Sequence, residues 1–216
     1  MFKRKKAMRC ASLILIGILL SSYSLIATGE PCEVTLPDSS TYSGNCENGL
    51  FNGKGELTWR DKSKYIGQFK NGLMHGKGKY THPSGWENEG EYINGELNGY
   101  GVYRSEFGDI YEGYYKNGLY HGQGKYLMAS GDVCEGEYVN GLLHGQGECR
   151  NRDGSSYKGE FKFGKHSGVG VFTYPNGIIY KGEFLNGLAH GKGTYIDEAI
   201  DKVDSGLWEH GVKVEN

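Results

Sequence analysis

The sequence predicts an all-β protein. Its expected architecture is an elongated single-layer antiparallel sheet, a solenoid of about seven 23-residue β-hairpin repeats with a partial C-terminal capping unit. Three observations carry this prediction. Glycine supplies 37 of 216 residues, about 17% against a usual ~7%, and each glycine inside a helix costs ~1 kcal/mol relative to alanine. Aromatic side chains make up 13% of the chain, 17 of them tyrosines, which is too rich for a disordered chain. Aromatics and glycines also recur on one fixed lattice, described below. Collagen is excluded, because it needs glycine at every third position with abundant proline, and only 4 prolines are present.

Residues 1–29 read as an export signal. Lys3, Arg4, Lys5, Lys6 and Arg9 form a basic start, and Cys10 to Ala27 is apolar, softened by serines. Ala27-Thr28-Gly29 then offers small residues for a cut after Gly29, a cut after Ala27 being the alternative. The other reading is an uncleaved N-terminal anchor, since about 17 apolar residues lie at the lower edge of what spans a bilayer. Both readings export everything after Glu30, giving a periplasmic, secreted or membrane-anchored chain. A lipoprotein is disfavoured, because Gly29-Glu30-Pro31 is no small apolar lipobox before Cys32.

The leader also hides the charge of the body. Of 24 basic residues 5 lie in the leader, so 19 face all 26 acids and the remainder carries −7. Such a body is a poor general ligand for nucleic acid or anionic lipid, which are bound by displacing counterions with basic surface. No nucleic-acid partner is expected.

Residues 42–203 hold seven repeats, starting at Tyr42, Tyr65, Asn88, Tyr111, Cys134, Tyr157 and Tyr180. Two residues on there is always glycine: Gly44, Gly67, Gly90, Gly113, Gly136, Gly159, Gly182. Next come Cys46, Phe69, Tyr92, Tyr115, Tyr138, Phe161 and Phe184, then an Asn-Gly pair, with Phe163-Gly164 as its one exception, and then Gly-x-Gly. Alternate residues of a strand share a face, so one face of each hairpin holds rings and glycines. Gln68, Lys70, Lys77 and Lys79 mark the other, wet face. Asn-Gly tolerates positive φ and makes the hairpin turn. If Gly67 opposes Gly78, then Tyr65 opposes Tyr80 and Phe69 opposes Gly76. A second glycine turn (Gly85, Gly108, Gly131, Gly154, Gly177) leads to the next hairpin. Residues 30–41 form a lead-in. In residues 204–216, Gly206-Leu207-Trp208-Glu209-His210-Gly211 imitates a partial repeat that caps the last edge strand. Fourteen strands at ~4.8 Å spacing would give a ribbon roughly 65 Å long.

The pattern YxGxFxNGLxHGxG resembles the MORN (membrane occupation and recognition nexus) repeat family, over nearly the whole chain after the leader. The resemblance implies a grooved antiparallel sheet, frequent self-association, and a role as scaffold or protein-interaction module, with lipid binding also proposed. Some members carry an added catalytic domain, and no remaining segment here is long enough for one. The third and sixth repeats depart from the pattern, at Asn88 and Glu96-Leu97 and at Phe163 and Lys165.

Four cysteines follow the leader. Cys134 replaces the lattice tyrosine and Cys149 the aromatic expected opposite it, as Tyr111 faces Tyr126 and Tyr157 faces Phe172. Directly opposed antiparallel residues lie ~4.5–5.5 Å apart, within disulfide range. A Cys134–Cys149 disulfide is therefore expected, and Cys32 can tie the lead-in strand to Cys46. Free thiols or a metal site are the alternatives, and no CxxC spacing supports metal.

His75, His121, His144 and His190 occupy one point of their repeats, which invites a metal reading. Equivalent points lie two strands, ~9.6 Å, apart, too far for ligands that must come within ~2.1 Å of one zinc. They are read as turn residues that tie down loop backbone. Asp153, Ser155, Ser156 and His166 cluster in sequence without triad geometry, and the glycines recur inside strands, unlike phosphate loops. The stacked rings (Tyr65, Tyr80, Tyr92, Tyr111, Tyr115, Tyr126, Tyr157 and Tyr180) are either the core or a candidate binding groove, with Tyr114, Glu137 and Trp86 at its rim. The resulting expectation is an exported non-enzymatic scaffold without cofactor or metal, binding a protein partner or itself as a homodimer. A module for envelope lipid headgroups or glycans is the alternative.

Overall fold

The computed structural model describes residues 29–215. The expected leader, apart from Gly29, lies outside them. Two compact bodies make up the described chain, one running to Glu106 and taking in Tyr115–Leu119, the other comprising Phe107–Tyr114 and the chain from Tyr120.

In the first body seven strands pair consecutively and antiparallel: β1 (Glu30–Thr35), β2 (Thr41–Glu47), β3 (Leu50–Thr58), β4 (Lys64–Lys70), β5 (Leu73–Thr81), β6 (Glu87–Ile93) and β7 (Glu96–Arg104). β8 (Ile110–Lys116) and β9 (Leu119–Leu127) follow. The second body continues from β9 through β10 (Val133–Val139), β11 (Leu142–Arg150), β12 (Ser156–Lys162), β13 (Lys165–Thr173), β14 (Ile179–Leu185), β15 (Leu188–Asp197), β16 (Lys202–Glu209) and the two-residue β17 (Val212–Lys213), again each against the next. One 3-10 turn, Glu198–Ile200, is the only helical element among the described residues. All-β hairpins in sequence order are what the 23-residue lattice predicts.

Turn chemistry sets this geometry. Asn71 and Gly72 have φ of 52° and 82°, the pair of positive values a two-residue turn needs to match the strand twist. The glycine amide then reaches backward, as in Gly95 N donating to Met74 O at 2.9 Å, which fastens each turn to the preceding repeat. Aspartate closes two of the second turns, as where Asp61 Oδ1 accepts from Ser63 N at 2.9 Å and from Ser63 Oγ at 2.6 Å. These two bonds hold the Asp61 carboxyl below the usual carboxylate range.

The hairpin register differs from the expected one beyond the glycine pair. Gly67 opposes Gly78 and Tyr65 opposes Tyr80, but Phe69 opposes Met74, because the ladder shifts between Gly67 and Gln68. Gly76, at φ 59°, absorbs the bulge that puts two extra residues on β5. The aromatic–glycine apposition occurs instead between successive hairpins, with Phe69 opposite Gly53 and Tyr92 opposite Gly76. The two glycines of Gly-x-Gly thus do different work. The first makes the bulge and the second, Gly78, lies beneath the Tyr65 ring.

Each lattice tyrosine is fixed at both ends. Tyr65 is fully buried, with Phe69 of its own hairpin and Tyr92 of the next edge-on at 5.1 Å. Its hydroxyl donates to Gln68 O beside the bulge at 3.1 Å, and Tyr111 does the same to Tyr114 O and Tyr157 to Glu160 O. At the end of the chain Trp208 stands edge-on to Tyr180 at 5.1 Å, where the next repeat's ring would be. Its Nε1 donates to Gly193 O at 3.3 Å.

Candidate interaction surface

The ring face is closed. Tyr65, Tyr80, Tyr92, Tyr111, Tyr115, Tyr157 and Tyr180 are buried and Tyr126 is half-buried. These eight rings are core and do not floor an open groove, because rings of the same or an adjacent hairpin pack on them, as Tyr92 does on Tyr65 and Tyr138 on Tyr111. Burial drives the Tyr65 and Tyr157 hydroxyls up to about 12 and those of Tyr92 and Tyr138 higher still.

The histidines occupy strands and not turns. His75, His121, His144 and His190 belong to β5, β9, β11 and β15, because the two-residue Asn-Gly turn lets the next strand begin at once. They tie down no loop through Nδ1, which is buried and without a hydrogen-bond partner in all four. They touch the turn of the following repeat, as His144 stands 5.2 Å from Phe163 and His190 6.0 Å from His210. Asn98, at the equivalent point, donates to Asn117 Oδ1. Among the described residues no group of three His, Cys, Asp or Glu side chains is placed to hold a metal ion.

The sequence cluster around Asp153 comes apart. Asp153 Oδ1 accepts from Ser155 N and Oγ at 2.9 and 2.7 Å, as Asp61 does for Ser63, while Ser156 opens β12. His166 lies in the ring row, stacked on Tyr157 at 3.7 Å and edge-on to Phe161 and Phe184. Burial pushes His166 from 6.5 down to about 4. Its neutral form is favoured in the fold, so the unfolded chain binds this proton first, and the contribution is complete above pH 6.5 and lost as pH falls toward 4. His166→Leu, matching Leu97 and Leu143 at the equivalent points, is expected to remove about 2 kcal/mol of acid sensitivity across that window. Urea midpoints of both chains at pH 7 and pH 4.5 check this, and equal drops refute it.

The exposed carboxylates next to the bulges were not legible in the sequence. Glu91, Glu137, Glu160 and Glu183 reach over the bulge glycines Gly99, Gly145, Gly168 and Gly191, as Gln68 does over Gly76. Glu183 Oε1 accepts from Lys192 N at 3.2 Å and Gln68 Oε1 from Lys77 N at 3.3 Å, so the side chain satisfies an amide that the bulge unpairs. Their only sequence signal is an acid or amide three residues after the lattice position. Of the expected rim, Glu137 reaches over Gly145, Trp86 stacks on Tyr80 and on His82, and Tyr114 is exposed on the wet face.

That wet face is what each repeat varies. Cross-strand ion pairs lace parts of it, among them Lys64 with Glu56 at 2.6 Å, and Lys79 and Arg104 with Glu87 at 2.7 and 3.4 Å. Both cysteine pairs sit at disulfide distance. Cys134 opposes Cys149 directly, with Cα atoms 4.1 Å apart. Cys32 reaches Cys46 diagonally across the β1–β2 ladder, with Cα atoms 5.8 Å apart, since its direct partner is Gly44.

The MORN repeat family model matches residues 42–64, 65–87, 89–106, 111–133, 134–156, 157–179 and 180–198. The chain belongs to the MORN repeat family. The third match is the shortest, where Asn88 replaces the lattice tyrosine. No curated protein matches the chain. Among solved structures it is similar to the SAS-4 (dCPAP) TCP domain of Drosophila melanogaster, solved in complex with a proline-rich motif of Ana2 (dSTIL). Identity is 12%, covering 73% of this chain and 92% of that one, with a TM-score of 0.38. It is also similar to the TCP10 domain of Danio rerio CPAP, at 12% identity over 82% of this chain and 100% of that one, with a TM-score of 0.30.

Proposed function

We propose that this MORN-repeat chain is an exported, non-catalytic scaffold that binds a protein partner and associates with itself. The observation that carries this reading is the division of labour between the two sheet faces. Rings and glycines close one face into core, leaving contact to the other face and the turns, where the repeats differ. The cysteine pairs at bonding distance fit an oxidising compartment outside the cytosol, as does the basic-then-apolar start of the sequence.

The test is crosslinking in the intact envelope followed by purification of the oxidised chain, with mass spectrometry of the bound material and sedimentation over a hundredfold concentration range. One dominant crosslinked protein and a concentration-dependent dimer are expected. A chain that stays monomeric and carries only lipid or glycan overturns the reading in favour of a headgroup- or glycan-binding module.

A further inference from the structure

The sixth repeat breaks local rules that its neighbours keep. Six hairpin turns place asparagine at the first positive-φ position, whereas the sixth places Phe163 there at φ 52°. Bulky side chains avoid that backbone region, and strain retained without packing return marks functional sites. Phe163 gains little packing, because it is 64% exposed and meets the edge of His144 at 5.2 Å. The residues flanking this turn, Lys162 and Lys165, oppose each other directly across the hairpin. Like charges so placed destabilise the pair.

The surroundings of Phe163 extend this oddity into a surface. Leu142 of the preceding repeat packs its Cδ2 against the turn at Gly164 and remains 38% exposed. In the following repeat Leu185 and Leu188, themselves a cross-strand pair, are 47% and 48% exposed. Along one turn edge of the second body an apolar strip therefore crosses three hairpins, roughly 19 Å at two strands per hairpin, with two lysines at its middle. β12 to β15 also carry Lys181, Lys192 and Lys158, the last paired with Glu148 at 3.4 Å. The same strands hold three acids, Glu160, Glu183 and Asp197, so their five lysines leave a local charge of +2. The strip is thus a basic, apolar island on a chain that is −7 outside its leader.

The geometry points to a binding site for an acidic, amphipathic segment of a partner protein, its carboxylates on Lys162 and Lys165 and its apolar side chains on Phe163, Leu142, Leu185 and Leu188. Charge complementarity selects this occupant. A short segment feels mainly charges within a Debye length of ~8 Å, whereas an anionic bilayer is wider than the strip and also meets acids beyond it on the same turn edge, such as Glu209. A helix of about 13 residues spans the strip at 1.5 Å per residue. This site rests on the scaffold reading above and gives it a location and a partner chemistry.

The test uses the oxidised chain as exported by the cell, with a fluorescent 15-residue peptide of leucines at every third or fourth position and glutamates between them. The same peptide with lysine for glutamate and phosphatidylserine vesicles are the comparison arms. Phe163→Asn restores the turn of the other repeats, so it is expected to fold, to raise the melting temperature by about 2 °C, and to weaken peptide binding at least tenfold. Lys162→Gln with Lys165→Gln is expected to weaken binding at least fivefold and to remove most of its salt dependence. Unchanged peptide binding in Phe163→Asn, equal binding of the lysine peptide, or a lower melting temperature overturns the proposal. So does Phe163-dependent binding to vesicles without peptide binding, which would make the strip a membrane contact. If Phe163→Asn crosslinks to the same envelope protein as the parent chain, the site falls and the scaffold survives. If neither crosslinks to a protein, the scaffold reading falls as well.

Discussion

Replacing Gly159 with alanine is expected to melt the sixth hairpin and the repeats stacked on it. A Cβ at Gly159 would stand 2.5 Å from Gly170 Cα, 2.7 Å from Val169 O and 2.8 Å from the Tyr157 hydroxyl. Two of these neighbours are backbone of the paired strand, so β12 and β13 must separate to admit one methyl group. Separation lifts the Tyr157 ring from its seat, together with its hydroxyl bond to Glu160 O at 2.9 Å. Overpacking with loss of a buried ring is expected to cost about 3 kcal/mol or more. Gly141→Ala is the control. Its φ of 86° makes alanine strained, but nothing lies within 4 Å of the added Cβ, so about 1 kcal/mol is expected. Urea denaturation of the two variants, with hydrogen exchange of the repeat-six amides, measures both. Gly159 has no positive φ to strain an alanine, so a loss no larger than that at Gly141 would refute the ring seat as the reason for glycine here.

Cys134→Ser with Cys149→Ser is expected to cost about 3 kcal/mol, the chain-entropy value for a loop of about this length. The pair closes 15 residues and stands where other hairpins put two rings, such as Tyr180 opposite Tyr195. The serine variant therefore loses a crosslink at a point with no ring stack to replace it. Dithiothreitol is expected to lower the melting temperature of the parent chain by more than that of the variant, whose remaining sensitivity reports Cys32–Cys46. Equal sensitivity to reductant would mean that Cys134 and Cys149 are not joined in solution.

Much of this fold is legible in the sequence because each hairpin is built from neighbours. Turn position, strand length, the Tyr65–Tyr80 pairing and the opposed Cys134 and Cys149 all follow from counting along a 23-residue lattice. Reading fails where one residue type serves two purposes. Gly76 and Gly78 look alike in sequence, yet one takes a positive φ and bulges while the other is overlain by a ring. Missing that bulge puts Phe69 opposite the wrong residue. The histidines were displaced from turn to strand because the turn needs only two residues. Glu137, Glu160 and Glu183 are unreadable without the bulge whose amide they can approach. Of the proposed site, the exceptions at Phe163-Gly164 and Lys165 show in the sequence, whereas Leu142, Leu185 and Leu188 are brought to them by pairing between repeats.

The sequence by itself determined the all-β class, the repeat number, the hairpin turns, the cysteine pairs and the family, because all of these depend on local spacing and on the period of two along a strand. Only the tertiary structure decided that the ring face is core and not an open groove. A ring is exposed or buried according to what the next hairpin lays over it, and Tyr65 is covered by Tyr92 from 27 positions further along the chain. The same stacking leaves Phe163 largely in solvent between two lysines, since its turn lies at the sheet margin where, among the described residues, only the His144 ring of the preceding repeat meets it.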